Sequence, residues 1–309
     1  MGTRSVVAAV LVGAALAFGA ATPAAALPAG SPASGGDGTR RVALGDSWAA
    51  GTAASEVDAA SGTCRRSPWA YPAVVARAAG ETQWTSRACA SSTGGGNGQF
   101  SSLTPTTEVV TATVGGDATG LGALAAACSA AGTPARCDAA ARRFDEALTA
   151  LPRSLDAALA DIRRRAPRAA VTLTGYPLLA EGRACPTGPA DTARAARLDD
   201  AVMRLDAVLS QRAGAAGLRF VDVRDAFRGH GVCATEPWLT PLTGADPLLA
   251  GGPTAIGHVR GMLAALSGPA PAAAPSPVTT ATSPVPPAGP APPADGRRID
   301  GEAPPVFGG

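Results

Sequence analysis

The sequence predicts a three-layer α/β/α domain on a mostly parallel, five-stranded sheet. Two observations carry this. Short β-branched or aliphatic runs alternate with longer stretches whose apolar residues recur at helical spacing, the pattern of βαβ units. The β runs are also apolar on both faces, as strands covered by helices on both sides must be.

The elements follow in order. Arg41 to Gly45 (RVALG) is a short apolar strand ending in a turn. Ser67 to Ala79 reads as a helix, with Ser67 as cap and Pro68 at its first position. Thr82 to Ala88 is a strand, and Glu108 to Val114 (EVVTATV) a β-branched, buried one. Leu121 to Cys128 is helical, and Ala139 to Leu148 and Leu155 to Arg165 are two further helices. Ala169 to Gly175 (AAVTLTG) is the fourth strand, Ala190 to Ala213 a long amphipathic helix, and Leu218 to Val223 (LRFVDV) the fifth strand. Pro253 opens a last helix that runs to about Leu266.

The two ends lie outside this pattern. Residues 1–26 have Arg4, an uncharged run from Val6 to Ala20 and a small-residue stretch, Ala24 to Ala26. That is the layout of a secretory signal peptide. The run is short for a membrane span of roughly 20 residues, so an anchor is the weaker alternative. Residues 27–39 form a linker, 40–267 one domain, and 268–309 a tail dominated by Pro, Ala, Ser and Thr. Such a tail has too little apolar bulk to repay its ordering entropy and is expected to be disordered; it either threads a cell wall or is inert. The expected location is extracellular.

Every basic residue is Arg, and loss of the leader takes the net charge from +2 to +1. A near-neutral surface argues against a nucleic-acid partner. No cofactor is called for, and a monomer is expected. The six cysteines, Cys64, Cys89, Cys128, Cys137, Cys185 and Cys233, form an even set that reads as three disulfides in an exported chain, with fifteen pairings open. Metal binding is not expected: no C-x-x-C spacing occurs, and His230 and His258 are the only histidines.

In parallel sheets ligands bind beyond the carboxyl ends of the strands. The first strand ends in Gly45-Asp46-Ser47, which exposes a candidate nucleophile, although the same tripeptide is ordinary turn chemistry. The third ends in Gly115-Gly116-Asp117.

Val42–Gly51 (VALGDSWAAG), Cys64–Pro72 (CRRSPWAYP), Cys89, Val110–Gly116 (VTATVGG), Ala166-Pro167, Gly175–Pro177 (GYP), Phe227–Cys233 (FRGHGVC), Pro237-Trp238 and Pro253–His258 (PTAIGH) together resemble the ordered blocks of the SGNH (GDSL-type) hydrolases, in their secreted bacterial branch of esterases and lipases. The resemblance implies the SGNH/flavodoxin-like fold, a lipid or small-molecule ester substrate, and the disulfides Cys64–Cys89, Cys128–Cys137 and Cys185–Cys233. It makes Ser47 the nucleophile, and it places the second oxyanion position at Ser91 and the third at Asp117.

The departures are as telling. The family's third-block asparagine is Asp117, whose ionised carboxylate cannot donate to an oxyanion. The second-block glycine is Ser91, the catalytic histidine position is Gly252, and the histidine's supporting acid falls at Leu249. Loss of one oxyanion donor costs roughly a hundred- to a thousandfold in rate, and loss of the histidine on the order of a millionfold in a serine protease. Asp117, His258 and Asp246 are the substitute bases to consider; Asp246 otherwise reads as a loop or cap residue, and His230 as a hydrogen-bonded scaffold residue. Gly94–Gly98 reads as a flexible loop rather than a phosphate cradle, because no Lys follows it. Trp69 and Trp238 read as core or pocket wall, and Arg163–Arg165 as a solvated helix end. Two functions remain: an ester hydrolase working through Ser47, and an inactive relative that binds a glycan, lipid or protein.

Overall fold

The structure, a computed structural model, describes residues 40–90 and 98–268. Five strands form its sheet: β1 (Arg41–Gly45), β2 (Trp84–Ser86), β3 (Val109–Thr113), β4 (Ala170–Thr174) and β5 (Arg219–Val221). Their order is β2-β1-β3-β4-β5 and every pairing is parallel. Val42 stands opposite Thr85 on one side and Val110 on the other. The chain therefore leaves β1 to one side for β2 and returns to the other for β3. That reversal opens a crevice at the carboxyl ends of β1 and β3.

The helices are α1 (Ser47–Ala50), α2 (Tyr71–Ala78), α3 (Gly116–Thr119), α4 (Leu121–Cys128), α5 (Pro134–Arg165) and α6 (Thr192–Ala215), then a π-helical stretch, Gly257–Met262, that continues into α7 (Leu263–Ser267). Helices α4, α5 and α6 pack together as one layer; α2 packs with the π-helical stretch and α7 in the other. The core between them holds Val42, Leu44, Val110, Leu173, Leu205 and Leu209, none more than slightly exposed.

Several boundaries depart from expectation. Helix α2 starts at Tyr71, not Ser67. The Ser67 amide donates to the Ala50 carbonyl (2.8 Å), and the Ser67 hydroxyl accepts from the Trp69 amide (3.0 Å), so this segment is a turn tied to the end of α1. The two helices expected on either side of Pro152 are one, α5, of 32 residues. Proline in a helix costs roughly 3 kcal/mol. Here Phe144, Leu148, Leu151, Leu155, Leu159 and Ile162 stay on one buried face across it, each contributing about 1.5–3 kcal/mol. The short helices α1 and α3 carry too few residues to show periodicity in sequence.

The three disulfides pair as the family pattern implies: Cys64–Cys89, Cys128–Cys137 and Cys185–Cys233. No helix among the described residues is long and apolar enough to cross a membrane.

Candidate active site

Gly45 ends β1 at φ +134°, and a Cβ there would lie 2.2 Å from the Thr113 carbonyl oxygen. Only glycine permits this turn. The Gln99 side chain fixes the turn by accepting from the Gly45 amide (2.8 Å) and donating to the Gly45 carbonyl (2.9 Å). Nothing in the sequence marked Gln99.

Asp46 then caps α1, accepting from the Trp48 amide (3.1 Å). It is fully buried. Its other oxygen accepts from the Tyr176 hydroxyl (2.6 Å), the Gly116 amide (3.1 Å) and the Asp117 amide (3.4 Å). Burial, and then the charge of Asp117, push its pKa up to about 8, against the opposing pull of these donors. Asp46 thus joins the turn after β1 to the turn after β3, and Tyr176 joins both to β4. Burial and the neighbouring Asp46 raise the Tyr176 phenol well above its ordinary value, so it stays a neutral donor.

Ser47 is the first residue of α1 and is only 3% exposed. Its hydroxyl donates to Asp117 Oδ1 (2.6 Å) and its amide to Asp117 Oδ2 (3.0 Å). One carboxylate therefore grips both groups that an attacking serine uses, the hydroxyl that must lose a proton and the amide that would meet an oxyanion. Of the residues singled out in the sequence, the structure brings Ser47 and Asp117 together. Ser91 and Gly94–Asn97 lie outside the described residues.

The remaining candidates have hydrogen-bond partners of their own. Gly252 is buried, and its carbonyl accepts from the Thr240 amide (2.9 Å). A Cβ at this position would come within 2.8 Å of the Ala53 Cβ. The Leu249 carbonyl accepts from the Thr240 hydroxyl and from the Gly252 amide. Asp246 pairs with Arg65 (2.5 Å), caps the Leu248 amide (3.0 Å), and is held below the usual carboxylate range by these partners despite some burial. His258 is fully buried; its Nδ1 accepts from the Tyr71 amide (3.2 Å), and burial pushes its pKa down to about 3. His230 Nδ1 bonds the Glu236 carbonyl oxygen (2.9 Å), and its ring stacks on Trp238 at 3.6 Å. Among the described residues no group of three or more His, Cys, Asp or Glu side chains could hold a metal ion.

A serine at the carboxyl end of β1, on an all-parallel sheet with these three disulfides, defines the class of fold used by GDSL-type hydrolases. The chain belongs to the GDSL-like lipase/acylhydrolase family, whose model matches residues 43–243. It is similar to Lipase 1 of Streptomyces coelicolor, 35% identical over 265 residues that span 84% of this chain and 94% of that protein. Among solved structures it resembles phospholipase A1 from Streptomyces albidoflavus, with a TM-score of 0.67 at 32% identity, covering 73% of this chain and 97% of that one. The extracellular lipase of Streptomyces rimosus gives a TM-score of 0.67 at 31% identity, with the same coverage of both.

Proposed function

We propose that the protein is an exported, lipase-type carboxylic-ester hydrolase in which Ser47 is the nucleophile and Asp117 replaces the histidine as proton acceptor. The observation that carries this is the 2.6 Å hydrogen bond from the Ser47 hydroxyl to Asp117 Oδ1, within the reach a general base needs. As Ser47 Oγ bonds to the ester carbonyl carbon, its proton passes to Asp117. The carboxyl group, now neutral, no longer repels the tetrahedral oxyanion, which can take the Ser47 amide. The same proton then goes to the departing alkoxide as its bond to carbon breaks, leaving acyl-Ser47. Water repeats the cycle, losing its proton to Asp117 and releasing the acid and free Ser47.

Turnover on this scheme is slow. A carboxylate is a weaker base than imidazole by about 2 to 3 pK units on model values, and the asparagine donor position is spent. Both relatives described as lipases and the phospholipase support a lipid or phospholipid ester as substrate. The leader-like residues 1–26 and the three disulfides support export. Within that scheme residues 40–267 are the working domain.

A second reading, a binding protein without turnover, is favoured by one fact: Asp117 Oδ2 already occupies the Ser47 amide. Hydrolysis of short-chain p-nitrophenyl esters by the full chain, by Ser47→Ala and by Asp117→Asn separates the two. Activity lost in both variants supports the hydrolase. Activity untouched by Ser47→Ala overturns it, and silence in the parent chain favours the binding reading.

A further inference from the structure

Four large hydrophobic residues are exposed among the described residues: Val57, Met203, Ile256 and Val259. Ile256 (52% exposed) and Val259 (37% exposed) stand three apart where the last helical segment begins, so they share one face. With Trp69, Ala255 and Arg260 they line a shallow, open hollow of about 200 Å³. Val57 follows Glu56, whose carboxylate accepts from the Trp69 indole N–H (3.2 Å) at the edge of that hollow. Ile256 and Val259 thus lie beside one aromatic ring, while Met203 belongs to α6.

The charges beside this face are mainly positive. The Arg77 guanidinium lies over the Trp69 ring, 5.7 Å from its centre, and Arg260 forms part of the hollow's wall. Neither forms an ion pair among the described residues. Glu56 is the acid at this edge, and its carboxylate is turned to the indole. The face is also tied through the chain to α1, the helix that begins with Ser47. Ala255 to Arg260 follow Gly252 within eight residues, and the turn that carries Trp69 is bonded to the end of α1 through Ser67 and Ala50.

We propose that this face docks the protein on an anionic phospholipid surface. Ile256 and Val259 enter the acyl boundary and Trp69 sits at headgroup depth, while Arg77 and Arg260 meet the phosphates. Aliphatic residues beside an amphipathic indole, with cations within reach of the headgroups, are what peripheral attachment uses. The docking needs no turnover at Ser47 and stands or falls apart from it.

The experiment is co-sedimentation of the full chain with vesicles of phosphatidylcholine alone and of phosphatidylcholine mixed with phosphatidylglycerol. The expected result is binding to the mixed vesicles that weakens with salt. Ile256→Asp combined with Val259→Asp is expected to lower the partition by about tenfold or more. Arg77→Gln with Arg260→Gln removes the preference for the anionic lipid, and Met203→Asp leaves binding unchanged. All these side chains are exposed or at the surface, and thermal unfolding of each variant checks that it folds. No binding by the parent chain overturns the proposal. So does undiminished binding by the folded Ile256/Val259 variant, or an equal loss in Met203→Asp.

Discussion

The Tyr176 hydroxyl accepts from the Gly116 amide at 2.7 Å, and the ring lies so close that a Cβ on residue 116 would come within 2.8 Å of it. This contact sets the turn after β3, and with it the position of Asp117 against Ser47. Gly116→Ala should therefore push the turn away from the ring, costing about 1–3 kcal/mol as overpacking does. Tyr176→Phe keeps the ring but leaves the Gly116 amide and Asp46 each short of a partner, at about 1–3 kcal/mol. Urea unfolding measures both losses, and both variants should slow Ser47 acylation more than they change substrate KM.

Stability should fall as pH rises from about 4 to about 8. Asp46, at about 8, and Asp206, at about 7, are both raised chiefly by burial from a value of 3.8. Between those limits the native protein holds protons that the unfolded chain has lost, so rising pH favours unfolding. The effect is absent below the unfolded value and complete above the folded one. His258 acts in the opposite sense. Lowered to about 3 by burial, it removes stability as pH falls below about 6.5, where the unfolded imidazole gains its proton. The steepest loss should lie between about 6.5 and 7, where both carboxyls act unopposed, at roughly 1.4 kcal/mol per pH unit for each proton. Unfolding free energy measured across this range, repeated on Asp206→Asn, checks the slope; the variant should flatten it below pH 7.

A histidine at position 252, where the family resemblance would put the catalytic one, should fail alone. The Ala53 Cβ stands where the new Cβ must go, so Gly252→His should lower the melting temperature and give no gain in ester hydrolysis. Combined with Ala53→Gly and Asp117→Asn, which clear the space and return an oxyanion donor, it should raise kcat by about a hundredfold or more. The p-nitrophenyl ester assay on the single and triple variants tests this.

The disulfides should differ in weight. Cys185–Cys233 closes the longest loop, with a sequence separation of 48, and Cys128–Cys137 the shortest, with 9. Replacing the first pair by serine should cost about 4 kcal/mol and the second about 2.5 kcal/mol on chain-entropy grounds. Denaturant midpoints of the two double variants give the order.

Sheet, helix order and disulfide pairing were legible because they rest on periodicity and on blocks spread along the whole domain. The meeting of Ser47 with Asp117 was legible because both residues follow strands that end at the same crevice. Other features were not. The continuity of α5 through Pro152 depends on burial that local propensity does not report. Gln99 and Tyr176 act on residues 54 and 60 positions away in the chain, and a linear pattern carries no sign of such pairings. The grip of Asp117 on the Ser47 amide as well as its hydroxyl needs coordinates, since sequence gives the residue type but not where its two oxygens point.

That double grip has a practical consequence for anyone surveying extracts with fluorophosphonate probes. Such reagents report how readily a serine attacks phosphorus and how well the phosphonyl oxygen is received beside it. Here both tasks begin with displacement of Asp117 Oδ1 and Oδ2 from Ser47. The chain should label slowly at neutral pH, and a faint band on a gel would mark a serine that is held, not one that is missing.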